Sequence, residues 1–139
     1  MKMMIKLFAI VALLAMTASC ATTTTAPSAL PEKYNLSNEL KAVKKINAIN
    51  VSNWDQIDKQ ALIFTANGGE FFLAVLDRPL ETDIASQVIG IVDQKSTITA
   101  GFDKFFIRTA KGRQYYLIEK IYVLAGRDQA KEMKEKLSK

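Results

Sequence analysis

The sequence predicts a mainly β fold: one small antiparallel sheet of about six strands, a partly closed barrel or a sandwich, with a C-terminal helix. Three observations carry this. Between residues 46 and 124, short apolar runs rich in β-branched and aromatic residues alternate with turn signals. Two of the gaps, Asn67-Gly68 and Lys111-Gly112, hold glycine where a tight hairpin needs positive φ. The closing segment, "RDQAKEMKEKLSK", has no β-branched or aromatic residue, and it pairs Glu132 with Lys136 and Glu135 with Lys139 at helical spacing.

The elements follow in order. "LSNELKAVKK" predicts a short helix ahead of the sheet, with Ser37 as N-cap. "INAINV" reads as a strand, and "SNWDQIDKQ" as a polar turn holding Trp54, the only tryptophan. "ALIFTA", "EFFLAVL", "VIGIV", "KFFIRT" and "QYYLIEKIYVL" read as further strands. A type I′ turn at Asn67-Gly68 sets Phe64 opposite Phe71 and Ile63 opposite Phe72. A turn at Lys111-Gly112 sets Asp103 opposite Lys120 and Lys104 opposite Glu119, which matches the charges. Gly126 ends the last strand. Ala130, Met133 and Leu137 form a thin apolar stripe, which predicts a helix laid loosely on the sheet. Gly68-Gly69 lacks the flanking pattern of a phosphate loop.

The front of the chain is of another kind. Lys2 and Lys6 precede an uncharged apolar run, and small residues lead into Cys20. That order is a secretory leader over residues 1–19, and its apolar part is shorter than the roughly 20 residues of a membrane span. The small residues before Cys20 resemble the lipobox of bacterial lipoproteins, with Thr17 where Leu is usual. The resemblance implies lipid attachment at Cys20, the only cysteine, by several acyl chains such as palmitate. Ala21 stands where an inner-membrane retention signal shows Asp, which by the same resemblance implies the outer membrane, facing the periplasm. Residues 20–42, rich in Thr and carrying Pro27 and Pro31, read as a tether. It would reach on the order of 70 Å extended and roughly 25 Å as a coil. The β domain is expected over residues 43–125 and the polar helix over 126–139.

Composition narrows the function. Loss of the leader removes Lys2 and Lys6, leaving 17 basic against 14 acidic residues, a net charge of +3 in place of +5. No basic stripe with interleaved aromatics points to nucleic acid. The chain has no histidine, so Ser-His and Cys-His nucleophiles are excluded. A zinc site would have to be all carboxylate, which is not the usual donor set. No metal, cofactor or catalytic residue is predicted. Asp55 and Asp58 lie near Trp54, and Asp77 and Asp83 flank "RPLE", but no spacing picks out an acid and a base, and turn carboxylates usually cap backbone.

Three aromatic doublets remain: Phe71-Phe72, Phe105-Phe106 and Tyr115-Tyr116. Neighbours on a strand point to opposite faces, so one member of each leaves the main core. The expected core is Trp54, Phe64, Phe72, Phe105, Ile107, Ile118 and Ile121. In the last hairpin, Phe105, Ile107, Tyr116 and Ile118 fill it. The other face presents Phe106, Tyr115 and Leu117, with Arg108 beside them. The favoured expectation is that flanking helices cover that face; if none does, these four residues are the candidate partner contact.

From about Ile46 to Leu124 the chain resembles a family of short bacterial lipoproteins catalogued as a domain of unknown function. The features that carry this are "INAINVSNWDQID", "GGEFFLAVLDRPL", "AGFDKFF" and "LIEKIYVL". Many members carry one cysteine after the proline and another before the last apolar triplet; here those positions are Leu80 and Tyr116, so an apolar contact would replace a disulfide. The resemblance implies a compact periplasmic β domain and brings no activity. The expectation is a non-catalytic, lipid-anchored envelope protein that binds another envelope protein or wall component. A carrier or sensor of an apolar ligand is the alternative, with a histidine-free hydrolase of the cell wall behind it.

Overall fold

The computed structural model describes residues 29–84, 88–92 and 96–139. The expected leader, Cys20 and the start of the tether lie outside the described residues. The elements are β1 (Lys41–Val43), β2 (Lys45–Asn47), β3 (Val51–Gln56), β4 (Ala61–Ala66), β5 (Glu70–Leu76), β6 (Val88–Ile91), β7 (Thr97–Thr99), β8 (Lys104–Thr109), β9 (Gly112–Leu124) and α1 (Arg127–Leu137). The main sheet is antiparallel, in the order β3-β4-β5-β9-β8-β6, and curls into a half-barrel. β9 is long enough to pair with β8 through its first half and with β5 through its second, while β1 pairs beside β8 on Ile121–Val123. β2 and β7 form a separate two-stranded ladder.

The curled sheet has two apolar faces. Inside lie Leu62, Phe64, Phe72, Ala74, Leu76, Phe105, Ile107, Tyr116, Ile118 and Ile121. Trp54, half-buried, packs its ring 5.0 Å from both Phe64 and Phe105. Every residue of the expected core is therefore on this side. Outside lie Ala61, Ile63, Leu73, Val75, Tyr122 and Leu124, under Ala130, Met133 and Leu137 of α1 and under Tyr34, Leu36 and Leu40. The helix is thus packed rather than loosely laid. Lys134 also grips both Asp55 oxygens at 2.8 Å, and Lys136 pairs with Glu39.

Period-2 alternation would put Ile118 and Ile121 on opposite faces, yet both are inside. Val75 pairs with Lys120 and Leu76 with Ile118, so Glu119 is an extra residue on β9. A bulge of this kind flips the parity of every side chain beyond it.

Several expectations are corrected. The short helix over residues 36–45 is a single turn closed by Glu39 and Leu40 N–H groups on Leu36 O, followed by β1. The open edge of β9 offers that segment a ladder, which outweighs a weak helical preference. The tether does not extend to residue 42. Glu32–Tyr34 is a 3-10 turn, and Tyr34, Leu36 and Leu40 are buried. "INAINV" is split between β2 and β3, and "SNWDQ" lies on β3 rather than in a turn. A bulge between Ser52 and Asp55, with Asn53 at φ 52°, lets this polar stretch join the sheet while Trp54 turns inward.

Both hairpin registers differ from expectation. Asn67 (φ 52°) and Gly68 (φ 80°) do form the tight turn, closed by Gly69 N–H on Ala66 O. Gly69 is then left over, so Phe64 faces Phe72 and Thr65 faces Phe71. In the last hairpin the turn is Ala110-Lys111, and Gly112 rejoins the strand at φ 115°. Thr109 accepts Lys111 N–H at 3.2 Å and donates to Gly112 O at 3.0 Å. Lys104 therefore faces Leu117, not Glu119, and Phe105 faces Tyr116. Asp103 does not face Lys120. Its carboxylate accepts Thr99 N–H at 2.6 Å and closes the turn before β8. The slip is by two residues, so the faces are unchanged.

Candidate functional site

The four candidate contact residues come together on one surface. Phe106 and Tyr115 are direct partners across β8 and β9, with ring centroids 6.4 Å apart. Arg108 lies on the same face one pair nearer the turn, and Leu117 one pair farther from it. Phe106 and Leu117 are half-buried, and Tyr115 is 43 % exposed. No described element packs over them; α1 contacts β5 and the far end of β9 instead.

One further cation belongs to this surface, and a second flanks its edge. Arg113 sits directly opposite Arg108, and its guanidinium stands 4.9 Å over the Phe106 ring. Arg78 reaches from the loop after β5, donates from Nη2 to Tyr115 O at 2.7 Å, and stacks 5.0 Å from the Tyr116 ring. Arg113 was legible as a same-face neighbour of Tyr115. Arg78 carried no local signal, because its place depends on the loop that follows Asp77.

That loop is fastened by backbone mimicry. Asp77 donates its N–H to Leu117 O at 3.0 Å, and its carboxylate accepts Leu117 N–H at 2.9 Å. One residue thus prolongs the β5–β9 ladder where the bulge would end it. Leu80, anchored next, is buried in the inner cluster with Tyr116, whose hydroxyl accepts Glu81 N–H at 3.3 Å. Leu80 and Tyr116 are the two positions for which the resemblance implies an apolar contact in place of a disulfide, and both lie in this cluster.

The other carboxylates serve the frame. Asp58 accepts the N–H groups of Gln60 and Ala61 at 2.8 and 2.9 Å, the Tyr34 hydroxyl at 2.7 Å and the Lys33 ammonium at 2.6 Å. Burial works against its charge, but Lys33, Gln60 N–H and Tyr34 outweigh this and hold the carboxyl below its ordinary value. The same burial, with Asp58 alongside, pushes the Tyr34 phenol well above its ordinary range. Asp55, Asp58 and Asp83 border one open cleft of about 810 Å³. Asp58 is shifted opposite to the need of a general acid. Among the described residues no cluster of carboxylates could hold a metal.

The half-barrel is open between its end strands. A trough of about 500 Å³ runs there, lined by Ile49, Val51, Trp54, Ile89, Ile91 and Ile98 among others. Among the described residues Trp54 is the one aromatic on it. Among the described residues no helix is long and apolar enough to cross a membrane.

Fold and surface together define a small β half-barrel, sealed on one part of its outer face by a helix and open on the rest as an aromatic and cationic surface. The chain belongs to a family of unknown function, DUF6491, whose profile matches residues 1–139. No curated protein and no solved structure matches it.

Proposed function

We propose that this protein is a non-catalytic, lipid-anchored component of the bacterial cell envelope whose β domain docks another envelope component through the surface of Phe106, Arg108, Tyr115 and Leu117. The observation that carries the docking reading is the uncovered half of the outer face, where aromatic and arginine side chains meet. Such residues are enriched at interfaces and dominate their energetics. The non-catalytic reading draws support from Asp58, Asp77 and Asp103, which each spend a carboxylate on backbone N–H groups. The anchor rests on the leader and Cys20. With Leu30 already packed against the outer cluster, the stretch from Cys20 to Leu30 reaches at most about 35 Å. An anchored domain would therefore work close to its membrane.

Two arms test the proposal. Cys20→Ser should yield a secreted protein that no longer sediments with membranes; membrane retention equal to wild type would remove the anchor. Replacing Tyr115 with a photo-crosslinking amino acid should yield adducts in the envelope, whereas the same replacement at exposed Lys131 should not. Equal adducts from both positions, or none from Tyr115, would remove the docking surface.

A second reading draws on the trough at Trp54, which could take an apolar ligand. Because Trp54 is the only tryptophan, its emission reports occupancy directly. A saturable blue shift on titration with a fatty acid would favour this carrier reading, and an unchanged spectrum would discard it.

A further inference from the structure

Resting on the docking surface above, we propose that its partner is an acidic segment of another protein. Arg108 and Arg113 face each other across β8 and β9, a like-charge pair that costs the sheet stability. Lys104 lies on the same face beyond Phe106, and Arg78 joins at the margin. None of these four cations is within ion-pair distance of a carboxylate among the described residues. Three carboxylates border the patch against its four cations: Asp77 on the Leu117 N–H, Glu81 on the Gln114 side chain at 2.7 Å, and Glu119 in the bulge farther along β9. The surface therefore combines excess positive charge with apolar area.

The geometry favours carboxylates on a protein over a lipid surface. Phe106 leans back over Gly90, where a Cβ would lie 2.6 Å from its ring, so the ring hugs the sheet and does not project as a wedge into acyl chains. Its π-face is occupied by Arg113. The Arg113 guanidinium, stacked on the Phe106 ring, is held in place before binding, which lowers the ordering cost. A planar guanidinium matches a carboxylate through two parallel hydrogen bonds. Tyr115 and Leu117 add the apolar contact that an acidic segment with an interspersed apolar residue would fill.

The test uses the full chain and a synthetic Glu-rich peptide carrying one phenylalanine, read by fluorescence anisotropy, with vesicles of phosphatidylethanolamine and phosphatidylglycerol in parallel. The peptide should bind, weaken with added salt, and lose at least about tenfold in affinity in Arg108→Glu/Arg113→Glu. Lys131→Glu on α1 should bind as wild type. If the double reversal disturbs folding by circular dichroism, Arg108→Gln/Arg113→Gln takes its place. Peptide binding unaffected by either double variant overturns the proposal, and so does binding to vesicles alone. If the peptide fails while Tyr115 still crosslinks in the envelope, the acidic partner falls and the docking surface stands. If both fail, both fall.

Discussion

Tyr115 and Tyr122 lie on the same strand and the same outer face of the sheet, and they meet different fates. Tyr122 is fully buried beneath the N-terminal segment, and its hydroxyl donates to Tyr34 O at 2.8 Å and accepts Leu36 N–H at 3.2 Å. Tyr115 is 43 % exposed, and its contacts are a neighbouring ring and an arginine on its carbonyl. The far half of the outer face holds the domain together; the near half is left uncovered. The sheet has two apolar faces but, among the described residues, one short α-helix to cover the second, and that helix reaches one half. Aromatic residues on the uncovered half are thus costly for solubility unless they are used.

The contrast can be broken most sharply by truncation. Tyr122→Ala should destabilise by about 3–5 kcal/mol, the range for a buried aromatic, and Tyr115→Ala by less than about 0.5 kcal/mol. Urea unfolding of the two variants measures this, and similar losses would mean the near half is also structural.

Next in size is the Asp58 cluster that pins the covering segment. Asp58→Ala strands the Gln60 and Ala61 N–H groups and should cost about 1–3 kcal/mol. The pH dependence follows from the direction of each shift. The folded Asp58 carboxyl is more acidic than the unfolded one, so its stabilisation is present above the ordinary value of about 3.9 and is lost as pH falls through the lower folded value. Tyr34 holds its proton more tightly when folded, so its stabilisation is present below about pH 10 and declines as pH rises beyond it. Asp58→Asn should flatten the acid limb and Tyr34→Phe the alkaline limb of stability against pH. Unchanged limbs would show that the cluster does not anchor the segment.

On the open half the effects are smaller. Gly90→Ala drives a methyl group into the Phe106 ring and should displace that ring at a cost of about 1 kcal/mol or less. The Phe106 ring resonances should shift while those of Phe64 stay put. Smallest of all, Lys136→Ala removes an exposed pair with Glu39 and should change stability by about 0.2–1 kcal/mol, less at high salt. A larger loss would mean that α1 is held by charge rather than by Met133 and Leu137.

Much of this frame was legible. β4, β5, β8, β9 and α1 announce themselves by residue type, and alternation alone placed Phe106, Tyr115 and Leu117 opposite the core. The misses share a cause: each depends on one inserted residue or on a partner strand distant in sequence. Gly69 shifts the first hairpin, Asn53 carries Trp54 into a strand, and Glu119 lets Ile118 and Ile121 face the same way. No local pattern marks a bulge, because the choice of which residue to leave over is made by packing on both sides. β1 forms only because β9 outruns β8 and leaves an edge to pair with. Arg78 joins the surface through Asp77, whose side chain imitates a backbone acceptor. Tertiary contacts of that kind are not written in any one segment.

The division of the outer face into a covered and an open half is tested most directly by hydroxyl-radical footprinting of the full chain, with oxidation read at each tyrosine by mass spectrometry. Tyr115 should be oxidised readily, and Tyr122 should stay protected until the protein unfolds. Protection of Tyr115 equal to that of Tyr122 in the folded, unpartnered chain would mean that the protein covers this surface itself and that the outer face has no open half.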